Sequence, residues 1–289
     1  MIKHSIENDW LRATISEDGA ELTSLIAKNT GMEYLWQADP SHWGRHAPIL
    51  FPFVGKLKDN QYHYRGNTYQ MGQHGFARDQ RFTVVENTAI SIKLTLKSST
   101  ESKRVYPFDF ELTLAYTLSE NSISVSYEVL KPSGEPLYFS IGGHPAFNCP
   151  LEAGKQRSDY HLKFNHTEDT EVYYLTDGLF AGATEPFRGD VLSLPENRFD
   201  RDALVFKSLQ SKTISLIDND NKTWLTFDFE GFPYLGIWSK SRTSPFVCIE
   251  PWFGIADQAD HDGDIAKKEG IMKLDGKSRF ACSYAIGIC

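Results

Sequence analysis

No apolar run in this 289-residue chain approaches the ~20 residues that a helix needs to cross a bilayer. A helical membrane protein is therefore not expected, and no membrane partner. Positive charge is in deficit: 30 Lys and Arg against 38 Asp and Glu leave a net charge of −8. Without a basic stripe, nucleic acid is not an expected partner either. From Met1 to Trp10 no basic region leads into an apolar stretch. A secretory signal is thus not expected, and the cytoplasm is the expected compartment. Cysteine is sparse, with Cys149, Cys248, Cys282 and Cys289 far apart and no CxxC pair. That excludes a disulfide framework and points to buried, reduced thiols. GxGxxG after a strand, GxxxxGK[ST] and GxSxG are all missing, which argues against dinucleotide, P-loop and α/β-hydrolase chemistry. The nine His show neither HxH nor HExxH, so no dedicated metal site and no cofactor are expected.

Helical periodicity is scarce too. No amphipathic stretch of 12 or more residues carries convincing caps; only 200–209 suggests a short turn of helix. The chain is instead 40% hydrophobic, 24% charged and 13% aromatic, with 19 Phe, 13 Tyr and 6 Trp. Such a balance describes a globular protein with a sizeable core. The aromatics fit strands, which favour them, or a cleft that stacks flat ligands. The dominant period is two. Residues 90–96, 110–118 and 122–129 alternate apolar and polar, as half-buried strands do. Ser119, Glu120 and Asn121 join the last two as a hairpin. A second hairpin is read from 213–217 through the Asp/Asn run 218–221 to 223–229. Further strands are expected at 11–15, 62–71, 137–141, 234–238, 246–249 and 280–288. Many strands and short connections predict an all-β fold, a large sandwich or barrel. No linker divides the chain, so one domain over 1–289 is expected.

Several stretches break the alternation and hold chemistry. Residues 43–58 bracket an apolar run with Pro48 and Pro52, as irregular or edge segments do. Arg45 opens this stretch and Lys56 and Lys58 close it; a guanidinium suits oxygen-rich ligands, although an isolated Arg is usually a surface charge. His74 lies in QHGFAR (73–78), next to a glycine that permits close approach, with Arg78 four residues on. His144 lies in GGHPAFN (142–148), at a strand end where titratable groups commonly function. Glu250 closes the apolar strand 246–249 beside Pro251 and Trp252, where a carboxylate tends toward a raised pKa suited to acid–base work. Asp202 precedes a short apolar run and reads first as a cap. Residues 257–264 pack four Asp and one His together but lack the EF-hand spacing, so a solvated acidic loop is expected there.

Taken in order, Arg45 with APILFPFVG (47–55), His74 in HGFAR, His144 in GGHPAFN, Asp202 in RDALVF and Glu250 in CIEPW resemble the aldose 1-epimerase (galactose mutarotase) family. Within it the resemblance is to the LacX-like branch, related to the hexose-6-phosphate mutarotases, and it spans nearly the whole chain. It implies a large antiparallel β-sandwich, the galactose mutarotase-like supersandwich, with a sugar cleft open on one sheet. It also implies that His144 is the acid, Glu250 the base and His74 a second catalytic histidine. The sugar-binding Asp falls on Asp202, with Asp200 as the alternative, and Arg45 and Arg78 match arginines of the phosphosugar-active relatives. Where many relatives carry Gly-Arg, this chain has Gly55-Lys56, and a point charge cannot reproduce a bidentate fork.

The implied activity interconverts the α and β anomers of an aldose or aldose 6-phosphate. A base takes the C1 hydroxyl proton, an acid protonates the ring oxygen, and the ring opens, turns and recloses. An ionised Glu250 beside a charged His144 is the expected starting state. Trp43, Trp252 or Phe147 offers a ring for the sugar's apolar face. The alternatives are a non-catalytic carbohydrate-binding or sensing protein on the same fold, and another carbohydrate enzyme using the same residues. A glycosidase ordinarily wants two flanking carboxylates.

Overall fold

The computed structural model describes residues 2–132 and 135–289. Among them, helix is limited to Ser102–Val105 and a few 3-10 turns. No helix is long and apolar enough to cross a membrane. The chain forms a large antiparallel sheet of fifteen strands and a four-strand sheet built from the first 33 residues. In spatial order the large sheet begins Ile49–Leu50, Ile141–Gly143, Phe246–Phe253, Tyr234–Trp238, Leu204–Lys207 and Tyr160–Thr176. It continues through Thr213–Asp218, Thr223–Asp228, Ser278–Ile288, Ser122–Lys131, Glu111–Ser119, Ser91–Lys97 and Thr83–Asn87. A sheet this wide curls on itself. Phe51, at its first strand, meets Phe110, at the eleventh, with ring centroids 5.1 Å apart. The two halves thus face each other as a sandwich. Ile6, Ala13, Ile15 and Leu25 of the four-strand sheet join the same core.

The alternating segments behave as their period requires. In Ser122–Lys131 every second side chain is buried, and its partner Glu111–Ser119 pairs through Ser119 opposite Ser122. Glu120 takes the left-handed conformation in the tight turn. Other segments differ from expectation. Residues 62–71 are a hairpin, Gln61–Tyr64 with Asn67–Gln70, because Arg65 and Gly66 both adopt positive φ and reverse the chain. Residues 200–209 hold the strand Leu204–Lys207 instead of a helical turn. Asp202 accordingly caps no helix. The two longest strands, Tyr160–Thr176 and Leu179–Ser193, were not among those expected. Residues 160–164 alternate in burial, but the middle of that strand and most of Leu179–Ser193 are exposed, which removes there the apolar–polar contrast that marks a half-buried strand.

The thiols divide. Cys149 and Cys248 are buried, Cys282 is partly covered and Cys289 is exposed. The acidic loop is also not uniformly solvated. Asp257 is buried and bonds Lys268 at 2.8 Å, whereas Asp262 pairs with exposed Lys267 and Asp264 caps the turn Ile265–Lys267.

Candidate active site

Strand Phe246–Phe253 is buried along almost its whole length. Its apolar run is unbroken because both faces are covered. Val247 and Ile249 enter the main core. On the opposite face, Phe246 and Cys248 join Trp36 and Ala146, while Trp252 joins Phe180, Val205 and Ala256. Glu250 sits on that face between these two apolar groups.

Two short strands run antiparallel to this one. Gly142 pairs with Trp252, and Ala146 pairs with Cys248. The same register puts residue 144 opposite residue 250. Pro145 has no N–H and interrupts the ladder there, though its carbonyl accepts the Ile249 N–H at 3.2 Å. Directly opposed residues on one face are close neighbours. Nε2 of His144 lies 3.3 Å from Oε2 of Glu250, both side chains being nearly fully buried.

His74 comes from a loop. His74 and Gly75 both have positive φ, and a Cβ on Gly75 would stand 2.3 Å from the Phe51 carbonyl oxygen. Glycine is therefore required for the loop to press against that strand. The Gly55 N–H donates to Nδ1 of His74 at 3.1 Å, and the His74 N–H returns a bond to the Gly55 carbonyl at 2.9 Å. With Nδ1 accepting, the neutral ring carries its hydrogen on Nε2. The His74 ring meets His144 edge-on at 5.6 Å.

These three residues line a cleft of about 290 Å³ with Arg78, Asp202, Trp43, Trp238, Lys240, Phe180 and Trp252. Among the described residues, Nδ1 of His144, Nε1 of Trp252 and Nε of Arg78 are buried with no hydrogen-bond partner, as is Oε2 of Glu250 apart from its 3.3 Å approach to His144. Unsatisfied buried polar atoms are rare in folded proteins. All four belong to residues of one cleft wall.

The remaining expected residues separate. Arg78 donates from Nη2 to the Gln73 carbonyl at 2.8 Å and forms part of the wall. Arg45 is bound to Asp79 at 2.7 Å, and Asp79 also lies 3.9 Å from Nε of Arg78. Asp202, at φ 72, faces the cleft while accepting the Ala203 N–H at 2.9 Å. Asp200 is engaged by Arg242 through both oxygens at 2.9 and 2.5 Å, at the surface. Between the two aspartates, the cleft wall holds Asp202. Phe147 is not a wall residue: it is fully buried in the main core against Phe227. Phe76 and Phe253 pack on that core as well. Trp43 stacks on the His144 ring at 4.8 Å and fixes its plane. Trp238, Phe180 and Lys240 escaped the sequence reading. Trp238 stood in a legible strand, but nothing in that strand says which face meets a cleft.

Burial pushes the Glu250 carboxyl well above the usual range, and the nearby Asp202 adds to the shift. Burial pulls His144 down to about 3, with Arg78 and Arg45 contributing. His74 is driven down by burial, then by His144, Arg78 and Arg45. In the low-dielectric cleft, burial works against both charged forms of the expected pair. Neutral pair and ion pair hold the same single proton and differ by its transfer across the 3.3 Å gap. Ligand atoms of His144, Cys248 and Glu250 also lie within 4.8 Å of one another. Burial holds the Cys248 thiol well above its ordinary value, which opposes the thiolate that a metal needs.

The indole of Trp252 fits because both flanking strands carry glycine beside it. A Cβ on Gly236 would lie 2.4 Å from the ring and one on Gly142 2.5 Å. Gly236→Ala is expected to lose about 1–3 kcal/mol through overpacking. Urea unfolding followed by tryptophan fluorescence measures this; an unchanged midpoint would mean that the ring moves freely.

A sequence model of the aldose 1-epimerase family matches residues 3–273. The chromosomal protein LacX of Lactococcus lactis subsp. lactis is 34% identical over 98% of both chains. Among solved structures, a galactose mutarotase related enzyme from Lactobacillus acidophilus is 36% identical with a TM-score of 0.96, covering 100% of this chain and 97% of that one. A galactose mutarotase-like protein from Lactobacillus casei is 32% identical with a TM-score of 0.93, covering 100% of both.

Proposed function

The chain belongs to the aldose 1-epimerase family, and from that premise we propose that it is a mutarotase interconverting the α and β anomers of an aldose or aldose 6-phosphate. The observation that carries this reading is the opposed pair Glu250 and His144, 3.3 Å apart in a buried cleft with unpartnered polar atoms. One group must take a proton from the C1 hydroxyl while the other gives one to the ring oxygen. Neither step needs an electron carrier.

In this reading, Glu250 is the base and His144 the acid. A bound sugar brings hydroxyl donors to the Glu250 carboxylate, which favours its ionised form. The proton then resides on His144. Ring opening returns it: Glu250 takes the C1 proton and His144 protonates the ring oxygen, leaving both groups neutral. Burial works toward that neutral pair. The protein environment therefore supports the open-chain stage, and reclosure on the other face reverses the transfers. Each positioned transfer contributes ~10²–10⁴-fold. His74 donates from Nε2 to a sugar oxygen, and Asp202 accepts from sugar hydroxyls. Arg78 in the wall and Arg45 beside it are the groups a 6-phosphate would meet.

The test is exchange NMR on the anomers of glucose, galactose and their 6-phosphates. At least one sugar is expected to exchange faster than in buffer, and His144→Asn to lower that rate by ~10²-fold or more. Binding with no acceleration of any sugar would overturn the reading.

A further inference from the structure

One aromatic ring of the cleft is committed to a reacting side chain. The Trp43 indole lies nearly parallel to the His144 imidazole, with 28° between the planes and 4.8 Å between centroids. We propose that this indole face is the electrostatic support of the His144 imidazolium, so that Trp43 sets how much of the sugar-bound enzyme carries its proton on His144 and not on Glu250. The proposal rests on the anomer-exchange reading above.

The ring has little freedom. The Trp43 N–H donates to the Asp39 carbonyl at 2.9 Å, and the Trp43 carbonyl accepts the Trp36 indole N–H at 2.8 Å. Phe246 stacks on the Trp43 ring at 5.7 Å, and Trp238 meets it edge-on at 5.5 Å. Trp36 is itself buried and packs against Phe246 at 5.0 Å.

The charges around His144 give an uncharged support its value. Arg78 and Arg45 both work against a positive His144. His74 meets the ring edge-on at 5.6 Å, and Cys248, held as the thiol, adds no charge. Glu250 is the anion beside it, at 3.3 Å. A second carboxylate would support the imidazolium but would also raise Glu250 further, as Asp202 already does. An indole face attracts a cation through its quadrupole and carries no net charge. It therefore favours one half of the ion pair without penalising the other. The 4.8 Å separation lies inside the ~6 Å over which a cation is attracted to the ring. In the neutral pair Glu250 already holds a proton and cannot take another from C1. Ring opening starts from the form with the proton on His144, so the rate follows the population of that form. Trp43 is thus a positioning residue that acts through His144, and not a platform for the sugar.

The test replaces Trp43, one of six tryptophans, site-specifically with mono-, di- and tetrafluorinated tryptophan, beside Trp43→Phe and Trp43→Leu. Exchange NMR is run on whichever of glucose, galactose and their 6-phosphates wild type accelerates most. Fluorine withdraws π density and hardly changes the shape of the ring. The kcat is expected to fall stepwise with fluorine number, about tenfold in all, while KM stays within about threefold of wild type. Trp43→Leu is expected to lose at least as much as the tetrafluoro protein, and Trp43→Phe to recover part of that loss. A kcat constant across the fluorine series overturns the proposal whatever the leucine variant does, because leucine also disturbs packing. A KM that rises while kcat holds puts the ring on the sugar and overturns it as well. Wild type that accelerates no sugar overturns the anomer-exchange reading and this role with it; an active wild type with a flat fluorine series overturns this role alone.

Discussion

Glu250→Gln is expected to lower anomer exchange by at least ~10²-fold and to leave the fold intact. The amide matches the carboxylate in shape but cannot accept the C1 proton. Stability moves the other way. Burial raises the Glu250 pKa above its ordinary 4.5. The folded protein therefore keeps a proton that the unfolded chain releases, and wild-type stability falls as pH rises from 4.5 through the raised value. Gln has no such proton. The variant's melting temperature should consequently gain on wild type as pH increases through that window. His144 acts at the other end: pulled from 6.5 to about 3, it costs stability as pH falls between those values. Melting curves across pH, paired with exchange rates, measure both effects. A Gln variant with wild-type exchange would remove Glu250 from the chemistry. One that lost stability uniformly with pH would show that the carboxyl is not held neutral.

Asp257→Ala is expected to destabilise the protein by about 3–5 kcal/mol, because it strands a buried ammonium. Among the described residues, Lys268 bonds Asp257, at 2.8 Å, and the Ile255 carbonyl, at 2.6 Å, with side chains 1% and 2% exposed across the ion pair. The same aspartate accepts the Lys58 N–H at 2.9 Å through its second oxygen. Its backbone takes part as well, binding Lys56 and Phe180. One residue therefore ties the loop after Gly55, the hairpin turn near Phe180 and the segment ending at Lys268. Ala256 lies between this junction and the cleft, so close that a Cβ on Gly55 would stand 2.6 Å from its own Cβ. Replacing both partners, with Asp257→Leu and Lys268→Met together, should recover part of the loss, since no uncompensated charge remains. Urea midpoints of the single and double variants decide this. A single-variant loss below about 1 kcal/mol would mean that the pair is effectively solvated.

Much of the architecture was legible because half-buried strands announce themselves. Ser122–Lys131 alternates in sequence and in burial alike. The hairpin at 160–193 was not read, since most of Leu179–Ser193 and the middle of its partner are exposed and lose that contrast. Asp257 was misread for the opposite reason. Three neighbouring aspartates are solvated, and composition cannot single out the one that a distant lysine neutralises. The aromatics were divided wrongly in part: Phe147 adjoins His144 in the chain yet points into the core, whereas Trp238 and Phe180, far from it in sequence, line the cleft.

By itself the sequence determined the all-β class and the turns that glycine, asparagine and aspartate permit, because these depend on local period and residue type; the candidate site residues it offered through their motifs and the resemblance these carry. Only the tertiary structure decided how those residues meet. The register that sets Gly142 against Trp252 and Ala146 against Cys248 brings His144 across from Glu250, 106 positions later in the chain. The burial that follows disfavours the charged form of each. Pairing between strands so far apart is set by the long-range fit of apolar faces, and no local pattern encodes it.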